Sequence, residues 1–331
     1  MTAVVPPSPR HATETGFLVE AATATAALAA AERLGVLDRL DRGPADAAAL
    51  VTDCGLTSRA APLLLDVLAA VGAATPVGDG GYRAVRGIRR LGELLRLTMA
   101  ELPDVLRTGV PVFAADTRSG SEQLYAGTID RLGSMMADAA ALVAGHLASA
   151  VPSMALDVGA GAAPWSLALA HRLPHCRFTA LDLPGVLATT RTAVESAGHA
   201  ARFTFLDADV FTADLPAAAY DLVIVGNLCH LFDQSANRRL LTRLTRTLRP
   251  GGTLAVLDIL PDSRGTDPRW LALYALGLHA RTAGGQVHPY AAYRQWLSAA
   301  ALTSPRRIDL PISPPMTLLT ARHPPDRGAV S

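Results

Sequence analysis

Between Ser153 and Leu260 the sequence switches repeatedly between short apolar runs and amphipathic helical stretches, and this alternation restricts the fold more than any other feature. MALDVGA reads as a strand, PWSLALAHRL as a helix, CRFTALDL as a strand and GVLATTRTAVESAG as a helix. ARFTFLDADV and DLVIVGNL follow as strands, SANRRLLTRLTRTL as a helix and GTLAVLDIL as a strand. Strands alternating with helices build a parallel sheet, because each crossover needs a connection long enough to hold a helix. LVIV and LAVL are apolar at every position, as strands covered on both faces must be. The sequence predicts an α/β, Rossmann-like domain over 152–322.

Upstream the texture is helical. Phe17, Leu18, Ala21, Ala24, Leu28 and Ala31 return at helical spacing until Gly35. A short helix is expected after Pro44. Another runs from about Ser58 to Val71, capped by Thr57 or Ser58, with Leu64, Leu65 and Leu68 facing inward. GAATPVGDGGYRAV predicts two short strands around the DGG turn. Helix, turn, helix and wing together predict a winged-helix-like domain over 13–100, with dimerisation through its apolar helices as its job. Helices continue over 101–151, and the Pro- and Arg-rich ends, 1–12 and 323–331, predict disordered tails. A chain of 331 residues is long enough for two domains of this kind.

Charge and composition exclude several classes of partner. Lys and Arg number 30 against 29 Asp and Glu, so no long-range field gathers nucleic acid or an anionic membrane. The segment SRAAPLLLDVLAAVG offers Arg59 as its single base and lacks the Asn, Gln and Lys that read base edges. The apolar run Ala21–Ala31 is too short to cross a bilayer, and prolines interrupt MTAVVPPSPRH where a signal peptide needs an apolar core. Cys54, Cys176 and Cys229 are odd in number and scattered, which fits a reducing, cytoplasmic setting.

The first strand-to-helix junction, Leu156-Asp157-Val158-Gly159-Ala160-Gly161-Ala162-Ala163-Pro164, is where a ligand is expected. Gly159 and Gly161 allow a tight turn and a close approach to the backbone. Asp182, at the end of the next strand, can accept hydrogen bonds from ribose hydroxyls, and Asp209 with Val210 supplies a second acid and an apolar contact one strand further on. A dinucleotide pyrophosphate wants bare amides at the helix start. Here Ala163 and Pro164 stand in place of the third glycine. S-adenosylmethionine carries no phosphate and demands less of that loop, while Asp157 can favour its ammonium group.

These residues carry a resemblance. Residues 15–322 resemble the small-molecule O-methyltransferases that include plant caffeate and acetylserotonin enzymes and many bacterial natural-product enzymes. The matching stretches are LDVGAGAAPWSLALA, ALDLPGVLATTR, FLDADVF, NLCHLFDQSANRRLLTRLTRTLRPGGTLAVLDILPD and RTAGGQVHPYAAYRQWLSAAAL. The resemblance implies a homodimer built through an N-terminal winged-helix domain, joined to a class I methyltransferase domain. It further implies that Gly159 and Gly161 line S-adenosylmethionine, that Asp182 with Leu183 holds the ribose and Asp209 with Val210 the adenine, and that Asn227 joins this set. Met135 and Met136 fall on the helix that walls the acceptor pocket in that family.

His230 follows the strand LVIVGNL and precedes a helix, so it should reach the carboxyl edge of the sheet. There an imidazole can take a phenolic proton near neutral pH. Asp258 ends GTLAVLD and occupies the family's place for an acidic partner that orients the ring. Three positions depart from the family pattern. Leu231 replaces an acid or amide, Gly226 replaces a basic residue, and Val287 with His288 stands where a second acid is often found. His279 and His288 flank the GG turn; His279 is expected to face substrate, and the spacing of the histidines forms no metal-ligand motif. The expected reaction is O-methylation of a phenol or enol of a small secondary metabolite. C-methylation or a non-methylating reaction (cyclisation, rearrangement or hydroxylation) on the same scaffold is the alternative, and a winged-helix regulator sensing S-adenosylmethionine is a third reading.

Overall fold

A computed structural model describes residues 14–78, 80–125, 128–264 and 266–325. The tail expected over 1–12, and residues 326–331 of the other, lie outside the described residues. The chain divides into two compact units, one ending at Leu97 and the other starting at Thr98.

In the first unit four helices precede a hairpin: α1 (Glu14–Arg33), α2 (Val36–Arg42), α3 (Ala47–Cys54) and α4 (Ala60–Ala70), then β1 (Ala74–Val77) and β2 (Gly81–Ala84). Gly35, at φ +70°, ends α1, as a residue free to enter the left-handed region can. The chain does not leave helical structure there: α2 resumes at once, with Val36, Leu37 and Leu40 fully buried. Its seven residues are too few for periodicity to announce. The Asp46 carboxylate accepts from the amide of Ala49 at the start of α3, and the Thr57 hydroxyl accepts from that of Ala60 at the start of α4, as expected of cap residues. Leu65 and Leu68 are buried on α4 and Leu64 packs partly against the same core. β1 and β2 pair antiparallel, Ala74 opposite Ala84, as the sequence predicts; Asp79 of their turn lies outside the described residues.

The boundary falls inside α5 (Ile88–Thr108). The second unit continues with α6 (Arg118–Tyr125), α7 (Ile129–Met135) and α8 (Ala137–Leu147), then enters the α/β region. There β3 (Met154–Val158), α9 (Pro164–Arg172), β4 (Arg177–Asp182), α10 (Pro184–Ser196) and β5 (Phe203–Asp207) are followed by β6 (Tyr220–Gly226), α11 (Gln234–Thr245) and β7 (Leu248–Asp258). Helices α12 (Pro268–Arg281) and α13 (Tyr290–Ala299) lead to β8 (Thr303–Leu310) and β9 (Met316–Arg322).

One seven-stranded sheet runs in the order β5-β4-β3-β6-β7-β9-β8. The five strands from β5 to β7 are parallel, whereas β9 pairs antiparallel with both β7 and β8. The parallel core is the one expected; the antiparallel edge is not visible in the sequence pattern. β8, TSPRRIDL, is an exposed edge strand with charged residues in place of an apolar run. Side chains alternate across the parallel strands. Ile224 joins Phe178, Trp165 and Leu169 on the α8/α9 face, while Val223 and Val225 join Leu240, Leu244 and Trp296 on the α11/α13 face. Strand order reverses between β3 and β6, which opens a crevice at their carboxyl ends, where open α/β sheets bind ligands.

Candidate active site

The glycine loop leaves β3 with Gly159 at φ +66° and Gly161 at φ +57°, a conformation a side chain would strain. Both positions are also tightly packed. A β-carbon on Gly159 would come within 3.1 Å of Leu228, and one on Gly161 within 3.2 Å of Ile129 on α7. Leu228 lies two residues before His230, so the loop is fitted directly against the segment that carries the histidine. Ala163, where a third glycine is missing, itself adopts φ +58°.

Two carboxylates shape this loop. Asp182, at the tip of β4, accepts from the amide of Gly161 at 2.8 Å and from that of Leu183 at 2.7 Å. Burial pushes its carboxyl up to about 6, with the two amides pulling it back. Asp157 on β3 is fully buried and accepts from the Ser166 hydroxyl of α9. Burial pushes it up to about 7, against that hydrogen bond, and the charge of Asp182 adds to the rise. Its Oδ1 has no hydrogen-bond partner, nor does the buried Oδ1 of Asn227 at the tip of β6. Buried acceptors left without partners on neighbouring strand tips fit a cationic donor such as an ammonium group. Asp209 turns the chain after β5 by accepting from the amide of Phe211 at 2.7 Å, and Val210 packs on the adjoining core.

The sharpest geometry belongs to His230. It sits in a single 3-10 turn, Cys229–Leu231, just beyond β6, and is 5% exposed. Asp258, at the tip of β7 and fully buried, accepts from His230 Nδ1 at 2.7 Å and from the His230 amide at 3.0 Å. The Ile259 amide and the Tyr293 hydroxyl complete the set of donors to Asp258, at 2.9 and 3.0 Å. Burial alone would raise the Asp258 carboxyl; the charge and hydrogen bond of His230, with the Ile259 and Tyr293 donors, outweigh it and hold the group below the usual carboxylate range. Because Asp258 accepts at Nδ1, the proton of the neutral ring resides there, and Nε2 carries the free lone pair.

The GG turn closes around this turn from the other side. The Gln286 amide donates to the His230 carbonyl at 2.9 Å, and a β-carbon on Gly285 would stand 2.8 Å from that same oxygen. Asp116 accepts from the amides of Ala283 and Gly284, both at 2.9 Å. Asn237 donates to the carbonyls of Cys229 and Phe232, which bracket the histidine. His288 Nε2 lies 2.9 Å from the Phe232 carbonyl, and burial holds that imidazole neutral by lowering its pKa. His288 is therefore a buried support of the His230 turn. His279 is exposed on α12, and among the described residues no group of three His, Cys, Asp or Glu side chains is placed to share a metal ion. Met135 is exposed at the end of α7, while Met136 packs against the sheet.

The structure thus gathers Asp157, Gly159, Gly161, Asp182, Leu183, Asp209, Val210, Asn227, His230 and Asp258 along the carboxyl ends of five adjacent parallel strands. Sequence reasoning missed Tyr293, Ser166 and Asn237, polar helix side chains whose partners only the tertiary structure reveals. For Trp165, at the start of the helix after the glycine loop, the sequence suggests no more than sealing the sheet. A β-carbon on Gly226 would collide with the Trp165 indole, so the glycine that replaces the family's basic residue is the space that this ring fills.

The whole chain also resembles known proteins. The chain is 27% identical to the 8-O-methyltransferase of tetracenomycin polyketide synthesis from Streptomyces glaucescens, over 90% of this chain and 93% of that enzyme. It is 31% identical to a 3-hydroxy-5-methyl-1-naphthoate 3-O-methyltransferase from Streptomyces sahachiroi, over 46% of this chain and 44% of that enzyme. Human N-acetylserotonin methyltransferase, solved with S-adenosylmethionine, shares the fold with a TM-score of 0.71 at 23% identity, over 96% of this chain and all of that one. The O-methyltransferase domain family matches residues 89–302, and the chain belongs to that family.

Proposed function

We infer that this chain transfers a methyl group from S-adenosylmethionine to a hydroxyl of a small secondary metabolite. The observation that carries the reading is the His230–Asp258 pair, fixed at 2.7 Å beside a glycine loop flanked by the unpartnered buried oxygens of Asp157 and Asn227. When bound, S-adenosylmethionine supplies an activated methyl on its sulfonium. Asp157 and Asn227 would hold its ammonium, Asp182 with Leu183 its ribose, and Asp209 with Val210 its adenine. Asp258 fixes the His230 tautomer, and Nε2 takes the proton of the acceptor hydroxyl as the oxygen attacks. Two of the relatives named above are O-methyltransferases, one of a hydroxynaphthoate and one of tetracenomycin polyketide synthesis, and an aromatic hydroxyl is the acceptor class proposed here.

We assign homodimerisation to the N-terminal helices, where Leu18, Val19 and Leu63 are exposed apolar side chains. No lysine or arginine lies within α4, Ala60–Ala70, which argues against a nucleic-acid partner. No described helix is long and apolar enough to cross a membrane, and a cytoplasmic setting is part of this reading. Incubation with methyl-labelled S-adenosylmethionine and a panel of phenols tests the reaction. Label on oxygen is expected; label confined to carbon or nitrogen, or product without added methyl mass, rejects O-methylation.

A further inference from the structure

Tyr125, Tyr274 and Arg281 form a group that the proton transfer above leaves without a task. Arg281 ends α12 and is half-buried, with its Cζ 5.4 Å from the centroid of the Tyr274 ring. That same ring meets the His230 imidazole edge-on at 5.8 Å and stacks on Trp270 at 5.1 Å. The guanidinium also acts on the Tyr125 hydroxyl, which in turn feels the charge of Asp182. The guanidinium and the imidazole thus share one aromatic neighbour, Tyr274, on the side of the molecule where Asp182 acts on Tyr125.

Arginine keeps its charge at any working pH and presents a planar fork of donors. Among the described residues no carboxylate pairs with Arg281. Its neighbours are tyrosines that burial holds neutral, Tyr274 far above its usual range and Tyr125 above it too. Among the described residues this half-buried guanidinium, flanked by hydroxyls and a ring face, meets no anion that would repay its desolvation. A planar anion entering beside Tyr274 would supply it with two parallel hydrogen bonds.

We propose that Arg281 is the anion subsite of the acceptor pocket, and that the acceptor is an aromatic hydroxy acid whose carboxylate pairs with Arg281 while its hydroxyl faces His230. The proposal rests on the O-methylation reading, and deepens it by naming the substrate class. Both groups lie close to one tyrosine ring, at 5.4 and 5.8 Å from its centroid, which keeps the guanidinium and the imidazole within reach of a single substrate of arene size.

Binding tests this apart from turnover. The protein, saturated with S-adenosylhomocysteine, is titrated with 2-naphthol and with 6-hydroxy-2-naphthoate, as wild type, Arg281→Gln and Arg281→Lys. Wild type is expected to favour the hydroxynaphthoate by roughly 10- to 100-fold, the span of a charge-assisted pair. Arg281→Gln should erase that preference while leaving affinity for naphthol and for S-adenosylhomocysteine unchanged. Arg281→Lys should keep part of it, a point charge replacing a fork. Equal affinity of wild type for the two arenes, including binding of neither, overturns the proposal. So does an Arg281→Gln protein that loses S-adenosylhomocysteine instead of the acid, which would give the guanidinium to the cofactor. A preserved preference with no methyl reaching any oxygen would reject O-methylation and leave the anion subsite standing.

Discussion

The carboxylate of Asp258 receives two hydrogen bonds from one residue, the Nδ1 proton and the backbone amide of His230, at 2.7 and 3.0 Å. The same contact that sets the tautomer thus also sets where the turn stands. Ring orientation and main-chain position are locked together, which is what a proton acceptor needs if its Nε2 is to meet a hydroxyl without searching.

Asp258→Asn breaks this arrangement whichever way the amide points. Each carboxylate oxygen accepts from two donors, His230 Nδ1 with the Ile259 amide at one and the His230 amide with the Tyr293 hydroxyl at the other. An NH2 group must therefore face donors. The expected loss in kcat is about 10²- to 10⁴-fold, the usual contribution of a positioned base, with calorimetric affinity for S-adenosylhomocysteine retained. Tyr293→Phe removes one donor from the buried oxygen and should cost about 1–3 kcal/mol of stability in a denaturant titration.

The cofactor acids make the unliganded protein sensitive to pH. Their usual pKa is 3.8, and burial raises Asp157 to about 7 and Asp182 to about 6. The folded state therefore holds more protons than the unfolded state between those values, and stability falls as pH rises from about 4 to 7. Binding an ammonium group asks for the ionised Asp157, so affinity for S-adenosylhomocysteine should rise over the upper part of the same interval. Thermal melts with and without the ligand across pH 5–8 check both directions: the unliganded Tm should drop as the ligand-induced increment grows.

Gly226 and Trp165 form a matched pair. A β-carbon at Gly226 collides with the indole of Trp165, which is 3% exposed and packed in the core. Gly226→Ala should destabilise the protein by about 1–3 kcal/mol, the cost of overpacking. Combining it with Trp165→Leu should restore part of that loss, read as a positive coupling in a double-mutant cycle of chemical denaturation.

The core of the sheet was legible because buried parallel strands must be apolar at every position, and LVIV and LAVL have no other reading at that length. The glycine loop and the acids at the strand tips were legible for a related reason: a break in apolar runs at their carboxyl ends marks the ligand edge. β8 and α2 were not, one because an edge strand carries charges where a buried strand carries valine, the other because seven residues hold too little periodicity. At the site His230 and Asp258 could be found by their places after β6 and at the end of β7. Tyr293 and Arg281 could not, since an aromatic or a basic residue on a helix reads as packing or solvent until tertiary structure shows which group it faces.

Single-turnover methyl transfer by wild type and His230→Gln, each preloaded with methyl-labelled S-adenosylmethionine and mixed with excess acceptor, tests the central claim most directly. The variant is expected to bind the donor as tightly as wild type and to transfer the methyl about 10²- to 10⁴-fold more slowly. Transfer at an unchanged rate, or slow transfer explained by lost donor affinity, would contradict the assignment of His230 as the group that takes the acceptor's proton.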